Sequence, residues 1–103
     1  MNLQGKTALV TGASRGIGAA VARQLARAGC AHVIIQYNSY AEGAQAVMAD
    51  IERAGARALA VQADFSSMAG VHALLAAVSE AGLAVDVLIN NAGSLLKRAK
   101  LAE

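Results

Sequence analysis

Residues 11–18 read Thr-Gly-Ala-Ser-Arg-Gly-Ile-Gly, and this stretch decides the fold of the chain. An apolar run at residues 7–10 precedes it, and residues 19–28 follow it with the composition and spacing of a helix. Glycines in the pattern G-x-x-x-G-x-G therefore stand where a buried strand turns sharply into a helix. The glycines alone would also suit a purely structural turn, so the flanking strand and helix are what favour a ligand-binding turn.

Each glycine of this turn has its own predicted role. Gly12 permits a positive φ where the strand ends. Gly16 has no Cβ and leaves the backbone open to a ligand, and Gly18 lets the helix lie close to its strand. The unpaired N–H groups of the first helical turn and the positive end of the helix dipole favour an anion above the turn. A pyrophosphate is the expected anion.

The composition is that of a small globular domain. A chain of 103 residues forms one domain at most, and its 56% apolar and 16% charged residues argue against disorder. The formal net charge of +2 is too small to indicate a nucleic-acid partner. A single cysteine, Cys30, excludes an internal disulfide and a cysteine-rich metal site. No apolar run reaches about 18 residues, so we expect no membrane span and a cytoplasmic protein.

Short apolar runs alternate with longer helical patterns, which predicts the element order βαβαβαβ. The expected strands cover residues 7–11, 32–37, 58–63 and 85–89. The first helix begins near Gly16, and the expected caps of the second and third helices are Ser39 and either Ser66 or Ser67. Each helix is expected to end at a glycine, in chain order Gly29, Gly55 and Gly82.

Apolar residues that recur at intervals of three and four give the buried face of each helix. For the first helix these are Ile17, Val21 and Leu25. For the second helix they are Ala44, Val47, Met48 and Ile51. For the third helix they are Val71, Leu74, Leu75 and Val78. His72 lies off the third stripe and is expected to be exposed.

The connections are too long for hairpins, which makes the strands parallel with right-handed crossovers. The predicted fold class is α/β, a Rossmann-type doubly wound parallel sheet with strand order 3-2-1-4. In such a sheet a ligand binds above the carboxyl edge, at the switch point between the first and fourth strands. The glycine turn and residues 90–93, Asn-Asn-Ala-Gly, both lie at that edge.

The end of the second strand indicates which cofactor the site would prefer. In this architecture a carboxylate there binds the 2′-hydroxyl of the adenosine ribose and selects NAD. Tyr37, Asn38 and Ser39 occupy this corner, and none of them is acidic. Asn38 and Ser39 can instead donate hydrogen bonds to a 2′-phosphate, and Arg15 is either its countercharge beside the adenine or a solvated loop arginine. NADP(H) is therefore favoured over NAD(H).

The ends of the third and fourth strands complete the expected site. Asp64 either accepts a hydrogen bond from the adenine amine or supports the N-terminus of the third helix. Asn90 and Asn91 are expected to tie the end of the fourth strand to neighbouring loops. Ala92 and Gly93 leave space for the ribose.

Residues 11–18, Asp64 and residues 90–93, at these separations, resemble the short-chain dehydrogenase/reductase family. Phe65 stands where the family usually has valine, a mild departure. The resemblance covers the whole chain, as the N-terminal cofactor-binding half of a family member. It implies contacts with the dinucleotide for Gly12, Ser14, Arg15, Gly16, Ile17, Gly18, Asn38, Ser39, Asp64, Phe65, Asn91, Ala92 and Gly93. Family members with an arginine in this turn and no acid after the second strand are typically NADP(H)-dependent reductases of carbonyl compounds.

The family's proton-transfer residues, a Tyr-x-x-x-Lys pair and an upstream serine, do not occur in this pattern here. Tyr37 and Tyr40 are followed four residues later by Ala41 and Ala44 rather than by lysine. No acid–base group is therefore placed to protonate a carbonyl oxygen. We expect residues 95–103 to form the family's next loop rather than a terminal helix, so that the chain stops in mid-fold.

Two functions remain compatible with the sequence. The chain is either the NADP(H)-binding portion of a carbonyl or alcohol oxidoreductase, or a free-standing nucleotide-binding or self-associating module without catalysis. In both cases the apolar fourth strand becomes a sheet edge whose free backbone groups can pair with another chain. The expected partners are a dinucleotide and, through the fourth strand, a second copy or the missing half, with no nucleic acid and no membrane.

Overall fold

The computed structural model describes residues 2–91, in which strands and helices alternate. The elements in chain order are β1 (Thr7–Val10), α1 (Gly16–Arg27), β2 (His32–Tyr37), α2 (Ala41–Arg53), β3 (Arg57–Gln62), α3 (Met68–Glu80) and β4 (Val87–Ile89). The predicted element order is confirmed for these residues. The loop predicted over residues 95–103 lies outside the described part of the chain, as do Ala92 and Gly93.

The strands form one parallel sheet in the order β3-β2-β1-β4. Leu9 of β1 lies beside Ile34 of β2 on one side and beside Leu88 of β4 on the other. The predicted Rossmann-type order is confirmed. The switch point therefore lies between β1 and β4, next to the glycine turn that follows β1.

Side chains of a strand point alternately to the two faces of the sheet. Helices cover both faces of the two central strands, β1 and β2. Ala8 and Val10 of β1 belong to the core on the side of α1 and α2. Leu9 and Ile34 belong to the opposite core, where α3 contributes Val71, Leu74 and Val78. This two-sided burial explains why β1 and β2 are almost continuously apolar.

Two residues predicted to face the sheet are exposed instead, Ile17 by 75% and Leu75 by 57%. The helix α1 buries a neighbouring face that is made mostly of small residues, Gly18, Ala19, Ala22, Leu25 and Ala26. Small side chains let a helix lie close to its neighbours, and this close packing decides how α1 is rotated. Leu75 lies about 100° around α3 from the buried Leu74, which turns it away from the sheet. His72 is exposed, as predicted.

The strand β4 is shorter than the predicted residues 85–89. At its start, Asp86 pairs with Thr7 of β1 partly through its side chain instead of through the backbone alone. The backbone N–H of Thr7 donates to Oδ2 of Asp86 at 2.9 Å. The N–H of Asp86 in turn donates to the carbonyl oxygen of Thr7 at 2.9 Å. A side chain thus replaces one rung of the ladder, and regular pairing begins only at Val87.

The predicted serine caps are not made by serine side chains. The N-cap of α2 is Tyr40 rather than Ser39, and neither it nor Ser67 at α3 makes a side-chain cap hydrogen bond. Before α3 the N–H of Ser66 donates to Oδ1 of Asp64 at 2.8 Å. A carboxylate two residues upstream therefore orders the entry to this helix.

Candidate functional site

The glycine turn between β1 and α1 has the positive φ predicted for Gly12, and Gly16 also has a positive φ. Gly12 and Gly16 both have a φ of 61°, a region in which glycine has no steric penalty. A Cβ on Gly18 would overlap the carbonyl oxygen of Gly12 and lie 2.7 Å from Nδ2 of Asn91. The close approach expected of Gly18 is therefore confirmed, and its neighbours are the turn itself and the residues after β4.

Thr11 and the two asparagines after β4 join the ends of β1 and β4 at the carboxyl edge. The N–H of Asn91 donates to Oγ1 of Thr11 at 2.9 Å, and Nδ2 of Asn91 donates to the carbonyl oxygen of Gly12 at 3.1 Å. The hydroxyl of Thr11 donates to Oδ1 of Asn90 at 3.2 Å. These contacts confirm the expectation that the asparagines tie β4 to a neighbouring loop. The contact predicted between Asn91 and a ribose stays a prediction.

Gln36, which the sequence analysis did not identify, holds the glycine turn through hydrogen bonds from β2. This residue of β2 is 3% exposed. Its Oε1 accepts the N–H of Gly12 at 2.8 Å, and its Nε2 donates to the carbonyl oxygen of Ala63 at 2.6 Å. Its backbone carbonyl accepts the N–H of Ala13 at 3.0 Å. One buried amide thus fixes the turn after β1 against the end of β3, and its signal in the sequence is a lone polar residue after Val33-Ile34-Ile35.

A cavity of about 370 Å³ opens above the carboxyl ends of β1, β2 and β3. Its size falls in the range of small-molecule sites. It is lined by Gly12, Ser14, Arg15, Gln36, Asn38, Ser39, Tyr40, Asp64, Phe65 and Ser66. Most of the predicted site residues in the described part of the chain therefore converge on one place. Gln36, Tyr40 and Ser66 are additional members that the sequence did not indicate.

The other predicted site residues lie beside this cavity rather than in its lining. Gly16, Ile17 and Gly18 form the first turn of α1, and the side chain of Ile17 extends into solvent. Asn91 lies across the glycine turn, where its amide binds Gly12. Ala92 and Gly93 fall outside the described residues. The structure thus brings together the part of the predicted site that would surround an adenosine, and the pyrophosphate-facing turn borders it.

The charges around the cavity are separated. Arg15 is the N-cap residue of α1, and its Cζ lies 5.3 Å from the centroid of the Tyr40 ring. Asp64 lies at the end of β3, where the backbone N–H and the hydroxyl of Ser66 lower the pKa of its carboxyl group. The cavity therefore offers a cation beside the glycine turn and a carboxylate near β3. The end of β2 between them carries the neutral side chains of Asn38 and Ser39.

Other kinds of site find no support in residues 2–91. These residues contain no group of three or more histidine, cysteine or acidic side chains that could hold a metal ion. Cys30 is a buried free thiol, and burial raises its pKa, with a further contribution from Asp86. No helix in the described part of the chain is long and apolar enough to cross a membrane.

Comparison with known proteins agrees with this architecture. The short chain dehydrogenase family model matches residues 6–103. An uncharacterized oxidoreductase of Methylorubrum extorquens is 48% identical over 91 residues, which are 88% of this chain and 36% of that protein. A 3beta-hydroxysteroid dehydrogenase of Eggerthella lenta is 46% identical over 92 residues, 89% of this chain and 35% of that protein.

Solved structures show the same relationship. A short chain dehydrogenase from Burkholderia cenocepacia in complex with NADP aligns with a TM-score of 0.82 and 53% identity, over 90% of this chain and 38% of that one. Pseudomonas aeruginosa RhlG, in a complex with NADP, aligns with a TM-score of 0.79 and 39% identity, over 90% and 36% of the two chains. The chain thus spans little more than a third of the length of these relatives. It belongs to the short-chain dehydrogenase family, and it corresponds to the N-terminal part of the family's fold.

Proposed function

We propose that this chain binds the adenosine half of NADP(H), as the cofactor-binding portion of a carbonyl or alcohol oxidoreductase. The observation that carries the proposal is the cavity wall after β2, where Asn38 and Ser39 lie and no carboxylate does. A carboxylate in this place would repel a 2′-phosphate, whereas amide and hydroxyl groups can donate hydrogen bonds to it. Arg15 in the same lining supplies the positive charge for a charge-assisted contact.

The remaining lining residues suit the other parts of the nucleotide. Hydrogen bonds from Ser66 lower the pKa of the Asp64 carboxyl group, and this carboxylate can accept a hydrogen bond from the adenine amine. The glycine turn exposes the N-terminus of α1 to the pyrophosphate. Three related structures contain NADP, and they support the choice of cofactor.

The test compares two adenosine ligands that differ only in the 2′-phosphate, 2′,5′-ADP and 5′-AMP, by isothermal titration calorimetry. The unmodified chain should bind 2′,5′-ADP more tightly by at least about tenfold, because one charge-assisted hydrogen bond contributes about 1.5–3 kcal/mol. Arg15→Ala should remove most of this preference. Arg27→Ala, at the far end of α1, is the matched control and should retain it. Equal affinities for the two ligands would refute the assignment of NADP(H).

A second candidate function is self-association without catalysis, and the exposure of β4 favours it. Leu88 of β4 is 47% exposed, and within residues 2–91 this strand is an edge of the sheet. An apolar edge with free backbone groups can pair with the same edge of a second copy. Light scattering after size exclusion should then show a dimer or larger species at micromolar concentration. A well-folded monomer that still binds 2′,5′-ADP would leave only the first function.

A further inference from the structure

The side chain of Arg15 is oriented by an aromatic ring rather than by an acid. Its Cζ lies 5.3 Å from the centroid of the Tyr40 ring, within the range of a cation–π contact. Among residues 2–91 the salt bridges join Asp50 to Arg23 and Arg53, and Arg15 takes part in none of them. Both Arg15 and Tyr40 line the cavity proposed for the adenosine.

The kind of partner matters for what Arg15 can do. A carboxylate would neutralise the guanidinium and occupy its N–H donors. The face of a ring attracts the cation but takes up none of its five N–H donors. Stacking on Tyr40 therefore holds Arg15 in one place and keeps its charge and its donors available to an anion.

Gly43 allows this stack to form where α1 and α2 meet. A Cβ on Gly43 would overlap the Tyr40 ring and the carbonyl oxygen of Ser14. Glycine inside a helix is unfavourable relative to alanine, yet Gly43 lies buried within the first turns of α2. The missing side chain lets the ring of Tyr40 and the turn that carries Arg15 share one small space.

We propose that Tyr40 is a positioning residue for cofactor choice: its ring, seated on Gly43, pre-orders Arg15 for the 2′-phosphate of the dinucleotide. This inference rests on the proposed function of the cavity. A long, exposed arginine loses rotamer freedom when it binds a phosphate, and pre-ordering removes part of that loss. Tyr40 therefore acts on ligands that carry a 2′-phosphate, and it acts through Arg15.

The test measures the ratio of the dissociation constants of 5′-AMP and 2′,5′-ADP in a double-mutant cycle. Tyr40→Ala should lower this ratio about three- to tenfold, the range expected for a partly exposed cation–π contact. Tyr40→Phe keeps the ring and should retain the ratio. In the Arg15→Ala background, Tyr40→Ala should change the ratio no further, because its effect passes through the guanidinium.

Three results would overturn the inference. The ratio could stay unchanged in Tyr40→Ala while the unmodified chain prefers 2′,5′-ADP, which leaves the proposed function standing. Tyr40→Ala could weaken the binding of both ligands by the same factor, which would make the ring a contact of the adenine. The unmodified chain could show no preference, which would remove the proposed function and this inference together. Gly43→Ala, checked for folding by circular dichroism, is an independent variant that should lower the same ratio.

Discussion

Replacing Gln36 by methionine tests whether one buried amide holds the glycine turn in place. Methionine has a similar length and no branch, so the substitution keeps most of the packing and removes both side-chain hydrogen bonds. The carbonyl oxygen of Ala63 would lose a buried partner, and the N–H of Gly12 would lose a part-buried one. A buried polar group without a partner costs about 1–3 kcal/mol. We therefore expect the free energy of unfolding to fall by about 2–4 kcal/mol. The N–H of Gly12 should contribute less than the carbonyl oxygen of Ala63, because Gly12 borders the cavity.

Urea unfolding followed by circular dichroism measures this loss. The matched control is Gln45→Met, an exposed glutamine of α2 that should change the unfolding free energy by less than about 0.5 kcal/mol. Gln36→Met should also weaken the binding of both 2′,5′-ADP and 5′-AMP, because both ligands would lie against the turn that Gln36 holds. If Gln36→Met were no less stable than Gln45→Met, the amide bridge would not support the turn.

Gln36→Glu adds a dependence on pH that separates the two hydrogen bonds. The new side chain can still accept the N–H of Gly12, but it can donate to Ala63 only when it is protonated. Burial and the facing carbonyl oxygen should raise its pKa in the folded state above the unfolded value of about 4.3. The folded state then binds the extra proton more tightly, so the variant should be closest to the unmodified chain at low pH and lose stability as pH rises through the folded pKa. A constant difference between pH 4 and pH 8 would contradict this reasoning.

Further predictions concern the turn, an ion pair and catalysis. Gly18→Ala should destabilise the chain and abolish binding of 2′,5′-ADP in titration calorimetry, because its Cβ would overlap the carbonyl oxygen of Gly12; an unchanged affinity would show that the turn can widen. Hydrogen bonding from Arg23 lowers the pKa of Asp50, with smaller effects of both neighbouring arginine charges. Asp50 therefore stabilises the fold above the unfolded pKa of about 3.9, and this contribution is lost as pH falls through the lower folded value. Urea titrations at acid pH should show a smaller loss of stability in Asp50→Asn than in the unmodified chain, and equal losses would refute the role of the pair. The 103-residue chain has no Tyr-x-x-x-Lys sequence and should oxidise no NADPH with a carbonyl compound in an absorbance assay; turnover in preparations free of longer proteins would contradict this.

The order of the strands and the position of the site followed from local sequence. Glycines at residues 12, 16 and 18 act through the backbone conformation of their own turn, which neighbours in the sequence determine. The segments that connect the apolar runs are too long for hairpins, so a parallel sheet follows from chain connectivity alone. Asn38, Ser39 and Asp64 could be placed at the cavity because the carboxyl ends of parallel strands meet at one edge.

The tertiary structure alone decided how helices rotate and which distant side chains meet. Ile17 and Leu75 fit a helical spacing, but small residues on a neighbouring face of α1 permit closer packing than Ile17 would, and Leu74 occupies the contact beside Leu75. The bridge made by Gln36 and the stack of Tyr40 on Arg15 join residues more than twenty positions apart. Local propensity carries no information about such pairs, since their contact depends on the distance at which strands and helices pack. The sequence therefore determined where the candidate site lies, and the packing of α1 against α2 decided that the ring of Tyr40 lies beside its cation, Arg15.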